Sequence, residues 1–80
     1  MLDKIKNYIK DTEFRLTLFK DRIYVTNYKK ILSLENNNIS FKVDKGKVII
    51  KGNNLVLKKL LDKEILVSGK ISSIEAKYDQ

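Results

Sequence analysis

Hydrophobic and polar residues alternate along most of the chain, starting at Phe14. Alternation with a period of two is typical of β-strands that have one face against a core. Seven runs show the pattern, at residues 14–19, 22–26, 38–43, 47–51, 54–58, 64–69 and 71–78. Because turn-forming residues separate these runs at short intervals, we predict an all-β domain over residues 13–80, a small meander, sandwich or barrel-like sheet of about seven short strands.

Glycine and asparagine residues predict how the strands connect. Asp44-Lys45-Gly46 fits a three-residue hairpin loop in which Gly46 adopts the left-handed conformation. Gly52-Asn53-Asn54 contains residue types that tolerate positive φ, so we predict a hairpin turn there. At Gly69 the alternation of apolar residues changes phase, which indicates a bulge or a bend.

Residues 1–12 follow a different period. Leu2, Ile5 and Ile9 are three and four positions apart, which predicts a short amphipathic helix. A helix this short needs a surface on which its apolar side can pack. We expect that surface to be the sheet of the same domain. The alternative is that residues 1–11 contact a membrane surface or a partner.

The last strands carry apolar residues on both faces. The residues that point away from their apolar neighbours are Ile49, Val56, Leu66 and Ile74. A stripe of this kind is either covered by a second layer or exposed as a contact surface. We predict that it binds another protein chain, which is a second copy of this chain or a membrane protein.

The composition excludes several kinds of catalytic and metal site. The chain has no Cys and no His, so neither a Ser-His or Cys-His nucleophile nor a zinc site with these ligands can form. We therefore expect no enzymatic activity, no catalytic residues, no cofactor and no metal. The chain shows neither an apolar run of membrane-spanning length nor a signal peptide, so we expect a cytoplasmic protein.

A formal net charge of +7 raises the alternative of nucleic-acid binding. Basic residues interleaved with aromatic ones are typical of surfaces that bind single strands. The candidates are Arg22, Tyr24, Tyr28, Lys29 and Lys30, on a small basic β-barrel. This function is the less favoured one, because only two of the seventeen cations are Arg, the residue best suited to bidentate phosphate and guanine contacts. Lys47, Lys51, Lys58 and Lys59 are interpreted instead as protection against edge-to-edge association of strands.

Two long stretches of the chain resemble the YabP/YqfC-type sporulation protein family of endospore-forming Firmicutes. They are LTLFKDRIYVTNYKKILSL and GKVIIKGNNLVLKKLLDKEILVSGKISSIE, and the resemblance extends from Phe14 to Lys77. The most specific part runs from Ile50 to Leu57 and from Glu64 to Ile74. Thr26 and Lys30 depart from the residues common in that family.

The resemblance implies a small non-enzymatic protein that is made during sporulation and acts in the mother cell during spore maturation. It also implies a membrane protein as partner, with membrane association through that partner. The family offers no established catalytic or ligand-binding residues to carry over. These implications agree with a basic protein that has no site chemistry and has apolar residues on a second face.

Overall fold

A computed structural model describes residues 13–79. The strands are β1 (Arg15–Leu18), β2 (Arg22–Thr26), β3 (Lys30–Glu35), β4 (Asn38–Val43), β5 (Gly46–Leu60) and β6 (Glu64–Tyr78). They form one open antiparallel sheet in the order β1-β2-β6-β5-β4-β3. The all-β class is therefore confirmed. The helix predicted over residues 1–12 lies outside the described residues.

The number and lengths of the strands differ from the prediction. β5 and β6 have 15 residues each, and each joins two runs that were predicted to be separate strands. The predicted hairpin turn at Gly52-Asn53-Asn54 is wrong, because β5 continues through this segment. β3 was not among the predicted runs. Its alternation is broken by a register shift between Ile31 and Ser33, which obscures the strand pattern in the sequence.

The β4–β5 loop also differs from the prediction. It contains two residues, Asp44 and Lys45, because Val43 already pairs with Gly46. The left-handed residue is Lys45, with φ of 63°, so the assignment of this conformation to Gly46 is wrong.

The long β5–β6 hairpin carries two groups of strands at its opposite ends. β2 pairs with residues 64–68 of β6, and β4 pairs with residues 46–51 of β5. Because β5 and β6 are antiparallel, these two segments lie far apart along the hairpin. We call β1, β2 and the adjoining parts of β6 and β5 (64–68 and 56–60) the first layer. The second layer contains β3, β4 and the parts of β5 and β6 that adjoin them (46–51 and 73–78).

The sheet curls so that the two layers face each other. Only three residues, 27–29, join β2 to β3, although β6, β5 and β4 lie between these strands in the sheet. Four strand spacings in a flat sheet amount to about 19 Å, whereas the chain from Thr26 to Lys30 can span at most about 14 Å. In agreement, the ring centroids of Phe14, beside β1, and Phe41, on β4, are 6.0 Å apart.

The core lies between the layers and consists of the inward residues of four strands. Its buried members are Ile23, Val25, Ile39, Phe41, Val43, Val48, Ile50, Leu55, Ile65 and Val67. Directly opposed pairs such as Ile23–Val67 and Phe41–Val48 place these side chains on one face of the sheet. Burial of each large aliphatic or aromatic side chain contributes about 1.5–3 kcal/mol, so this face holds the fold together.

A close approach of backbone to backbone bends the β5–β6 hairpin. A Cβ atom at Gly52 would lie 2.1 Å from the carbonyl oxygen of Lys70, and one at Gly69 would lie 2.6 Å from that of Asn54. Gly69 has φ of 132°, and Asn54 has φ of 54°. Register shifts flank this region on both strands. The bulge predicted at Gly69 is therefore confirmed. Its cause is steric, because the backbones of β5 and β6 approach each other here more closely than side chains would allow.

The turns of the flanking hairpins close over this bend. The N–H groups of Gly52 and Leu55 donate hydrogen bonds to the carbonyl oxygens of Asn37 and Asn36, at 3.1 and 2.7 Å. On the other strand, the Gly69 N–H donates to the carbonyl oxygen of Asp21 at 3.1 Å. Backbone groups that the bulges release from the β5–β6 ladder thus find partners in the β3–β4 and β1–β2 loops.

Substitution of Gly69 by Ala should destabilise the protein strongly. The added Cβ meets the Asn54 backbone and the φ of 132° is strained for any L side chain, so we expect a loss of at least about 1–3 kcal/mol in unfolding free energy. Chemical denaturation measures this loss. The control, Asn53→Ala at an exposed neighbouring site, should change stability by no more than about 0.5 kcal/mol. Equal effects of the two substitutions would contradict the proposed origin of the bend.

Candidate functional site

The outward side of the first layer combines apolar and charged side chains. Tyr24, Leu66 and Lys59 oppose one another across β2, β6 and β5, and Arg22, Ser68 and Val56 form the adjacent row. Residues that are paired in this way share one face of a sheet. Val56 is 48% exposed. We call the surface formed by Arg22, Tyr24, Val56, Lys59, Leu61 and Leu66 the first outer face.

A shallow depression of about 240 Å³ lies on this face. It is lined by Tyr24, Lys59, Leu61, Glu64, Ile65 and Leu66. Leu61 comes immediately after β5 and is 54% exposed, so it forms an apolar wall of the depression. Lys59 and Glu64 supply charges at the rim. Apolar side chains surrounded by polar ones are typical of surfaces that bind other proteins.

Tyr24 is held in place by a hydrogen bond across the layer. Its hydroxyl donates to Oε1 of Glu64. This bond raises the pKa of Tyr24 above its ordinary value of 10.0, and desolvation and the negative charge of Glu64 act in the same direction. Tyr24 therefore stays neutral at physiological pH and presents an oriented aromatic ring, which suits binding rather than proton transfer.

Arg22 is anchored at the edge of the first outer face. Its guanidinium carbon lies 4.8 Å from the ring centroid of Phe19, and its Nη1 lies 3.6 Å from the Asp21 carboxylate. Both contacts are made to the β1–β2 loop, whose carbonyl at Asp21 also accepts the Gly69 hydrogen bond. The position of Arg22 is thus linked to the bend of the hairpin.

The structure brings together only part of the predicted partner-binding stripe. Val56 and Leu66 share the first outer face, but Ile49 lies beyond the bend, on the outward side of the second layer, opposite Ser40 and Glu75. Ile74 is directly opposite the buried Ile50 and packs against the core. The sequence pattern misplaced Ile74 because the register shift at Gly52 inserts an extra residue in β6 and restores Ile74 to the inward side.

The five candidate nucleic-acid residues are also divided among different places. Arg22 and Tyr24 belong to the first outer face, and Lys30 lies on β3 in the second layer. Tyr28 packs edge-on against Phe41, with ring centroids 6.4 Å apart, and its hydroxyl donates to the carbonyl oxygen of Leu61 at 2.9 Å. Lys29 is exposed in the connection between the layers. These residues do not form one continuous stacking surface.

Leu61, Lys59 and Glu64 of the depression were not among the predicted site residues. The sequence does hold a signal for one of them. Leu61 stands beside the Asp62-Lys63 turn, and residues in connections between strands lie at the protein surface. The contributions of Lys59 and Glu64 depend on the pairing of β2, β6 and β5, which no short motif encodes.

Residues 13–79 contain no group of three or more acidic side chains arranged to hold a metal ion. In the same part of the chain, no helix has the length and apolar character required to cross a membrane. The side chains gathered on the first outer face can contribute apolar contacts, hydrogen bonds and charge complementarity.

Comparisons with known proteins point to one family. A sequence model described as the YabP family matches residues 10–80. A Bacillus subtilis (strain 168) protein named "Uncharacterized protein YqfC" is 35% identical over 52 residues. The match covers 65% of this chain and 56% of the relative, so the chain spans little more than half of that relative's length. No solved structure matches the chain. The family suggests a sporulation-related protein.

Neutralisation of Glu64 should lower the pKa of Tyr24. In Glu64→Gln the carboxylate no longer favours the protonated phenol, so the titration of Tyr24 should move down towards 10.0. The titration can be followed through the ring carbon resonances in NMR spectra. Glu75→Gln, which removes a carboxylate from the second layer, serves as the control and should leave Tyr24 unchanged. A Tyr24 pKa that is the same in wild type and Glu64→Gln would show that the hydrogen bond is absent in solution.

Proposed function

The chain belongs to the YabP family, and we propose that it is a non-enzymatic binding and assembly module that acts in sporulation. The proposal rests on the composition of the first outer face. There an oriented tyrosine, Tyr24, and the aliphatic residues Val56, Leu61 and Leu66 are at least partly exposed and lie outside the buried core of residues 13–79.

The chemistry of this face fits a protein partner. Tyrosine and arginine are enriched among the residues that dominate binding energy in protein interfaces, and charged groups at the rim favour correct partners. Tyr24 supplies a rigid ring because its hydroxyl is already bonded to Glu64. Arg22 is held over Phe19 and loses little further freedom on binding. The face is thus organised before a partner arrives.

We expect the partner to be another protein chain, either a membrane protein or a second copy of this chain. The protein would then work in the cytoplasm of the mother cell and reach a membrane through that partner. Single-stranded nucleic acid has weaker support as the ligand, because Tyr28 is engaged with Phe41 and Leu61 and the five candidate residues are spread over both layers.

Leu66→Lys should leave the protein folded and weaken the complex. Leu66 lies outside the core between Tyr24 and Lys59, and loss of a central anchor typically costs 2 kcal/mol or more, which is about 30-fold in affinity. The control is Asn53→Lys, which adds the same charge at an exposed position of β5. Circular dichroism checks the fold of each variant.

Crosslinking with mass spectrometry in a sporulating host that carries the gene measures the complex. Wild type and Asn53→Lys should give the same crosslinked protein, and Leu66→Lys should lose it. Light scattering on the purified chain distinguishes a second copy from a different partner. A folded Leu66→Lys protein that retains its crosslinks would contradict the assignment of this face.

The role in sporulation has an independent test. A strain without the gene should produce fewer heat-resistant spores than its parent, and the wild-type chain should restore the number. Leu66→Lys should restore it poorly, whereas Asn53→Lys should restore it fully. An unchanged spore count in the deletion strain would refute the proposed role in sporulation and would leave the binding face to be judged by crosslinking.

A further inference from the structure

Four lysines stand in one row across the second layer. Lys30 on β3 opposes Lys42 on β4, Lys42 opposes Lys47 on β5, and Lys47 opposes Lys77 on β6. All four are exposed. With neighbouring strands about 4.8 Å apart, the row is about 14 Å long. We call these residues the lysine row.

The lysine row opposes the stability of the sheet. Like charges placed directly opposite each other on neighbouring strands are destabilising, and the row contains three such pairs. The ion pairs of the described residues join Arg22 to Asp21 and Lys51 to Glu75, so the lysines of the row have no carboxylate partner there. The arrangement therefore calls for an explanation other than folding.

Protection of strand edges does not provide that explanation. Lys42 and Lys47 lie on strands that are paired on both sides at these positions. Lysines that prevent edge association belong on unpaired strands. Lys58 and Lys59 fit that role better, because β4 pairs only with residues 46–51 of β5, and no other strand of residues 13–79 pairs with the later part of β5 on that side.

Apolar side chains accompany the lysine row. A depression of about 360 Å³ beside it is lined by Leu32, Lys42, Gly46, Lys47, Lys77, Tyr78 and Asp79. Leu32 is 47% exposed and Tyr78 is 64% exposed. Leu32 lies at the register shift of β3. Asp79 is the one carboxylate that lines the depression, against three lysines. Lysines combined with an exposed tyrosine and an aliphatic residue are typical of surfaces at the interface of a lipid bilayer.

We propose that the lysine row binds the phosphate headgroups of an anionic membrane surface, with Leu32 and Tyr78 contacting the interfacial region. Lysine is a point charge suited to a diffuse field of lipid phosphates, and the row contains no Arg for bidentate recognition. The neighbouring row on the same side of the sheet contains Ser33, Ser40, Ile49 and Glu75. None of these side chains is aromatic, so the row offers no surface on which bases could stack. A lipid surface is therefore favoured over nucleic acid.

This proposal is independent of protein binding by the first outer face, because the two surfaces belong to different layers. It also differs from membrane contact through residues 1–11. Both proposals fit one molecule: the first outer face would hold a protein while the lysine row faces the bilayer.

Co-sedimentation of the full chain with lipid vesicles tests the proposal. Wild type should bind vesicles of phosphatidylcholine and phosphatidylglycerol and should bind phosphatidylcholine vesicles far less. Each lysine near an anionic surface contributes about fivefold in partitioning, so Lys42→Glu/Lys47→Glu should weaken binding by about 30-fold or more. Lys58→Glu/Lys63→Glu changes two exposed lysines outside both proposed surfaces, has the same net charge and should bind like wild type to within about threefold.

The single variant Lys42→Glu keeps the test valid if the double variant fails to fold. Glu at this position would face Lys30 and Lys47 and replace two repulsive pairs by attractive ones, so its thermal unfolding midpoint should rise while its vesicle binding falls. A purely structural role for Lys42 would not produce these opposite changes.

Several results would overturn the proposal. Equal binding of Lys42→Glu/Lys47→Glu and Lys58→Glu/Lys63→Glu would show that net charge or another segment is responsible. Equal binding of wild type to neutral and anionic vesicles would exclude headgroup recognition. The lysine row would instead be a nucleic-acid site if two results were found together. Single-stranded DNA or RNA would bind in a salt-sensitive way that requires Lys42 and Lys47, and vesicle binding would not require these lysines.

Discussion

The structure depends on the contact between two backbones where β5 and β6 bend. Gly52 lies against the carbonyl of Lys70, and Gly69 lies against that of Asn54, at distances that leave no room for a Cβ atom. The bend allows one long hairpin to serve two layers, each completed by a shorter hairpin. The loops of those shorter hairpins bind the backbone at the bend, so the curvature and the loop positions stabilise each other.

Because the sheet curls around its core, the outward sides of its two layers become separate surfaces. One presents an aromatic and aliphatic face with Tyr24 bonded to Glu64. The other presents four opposed lysines beside Leu32 and Tyr78. The pairing in the sheet determines both surfaces, so the set of side chains on each surface depends on register rather than on a short motif. A small adaptor between a protein and an anionic membrane is the role that unites the two proposals.

The alternation of apolar residues was sufficient to predict the all-β class, and its change of phase was sufficient to predict the bulge at Gly69. It could not show that β5 continues through Gly52-Asn53-Asn54, because glycine and asparagine suit a bulge as well as a turn. The inward position of Ile74 depends on a register shift, and the lysine row depends on the pairing of four strands. Such features arise from partners distant in the sequence, which local patterns do not specify.

The bent β5–β6 hairpin curls the sheet and thereby places two different surfaces on opposite sides of one core. Nuclear Overhauser effects between the rings of Phe14 and Phe41 test this claim most directly. Phe14 lies beside β1 of the first layer and Phe41 lies on β4 of the second layer. Their ring centroids are 6.0 Å apart, so strong cross-peaks between their ring protons are expected. A flat sheet would separate β1 and β4 by about 19 Å. Absence of the cross-peaks in a folded, assigned protein would contradict the curled sheet and the separation of its faces.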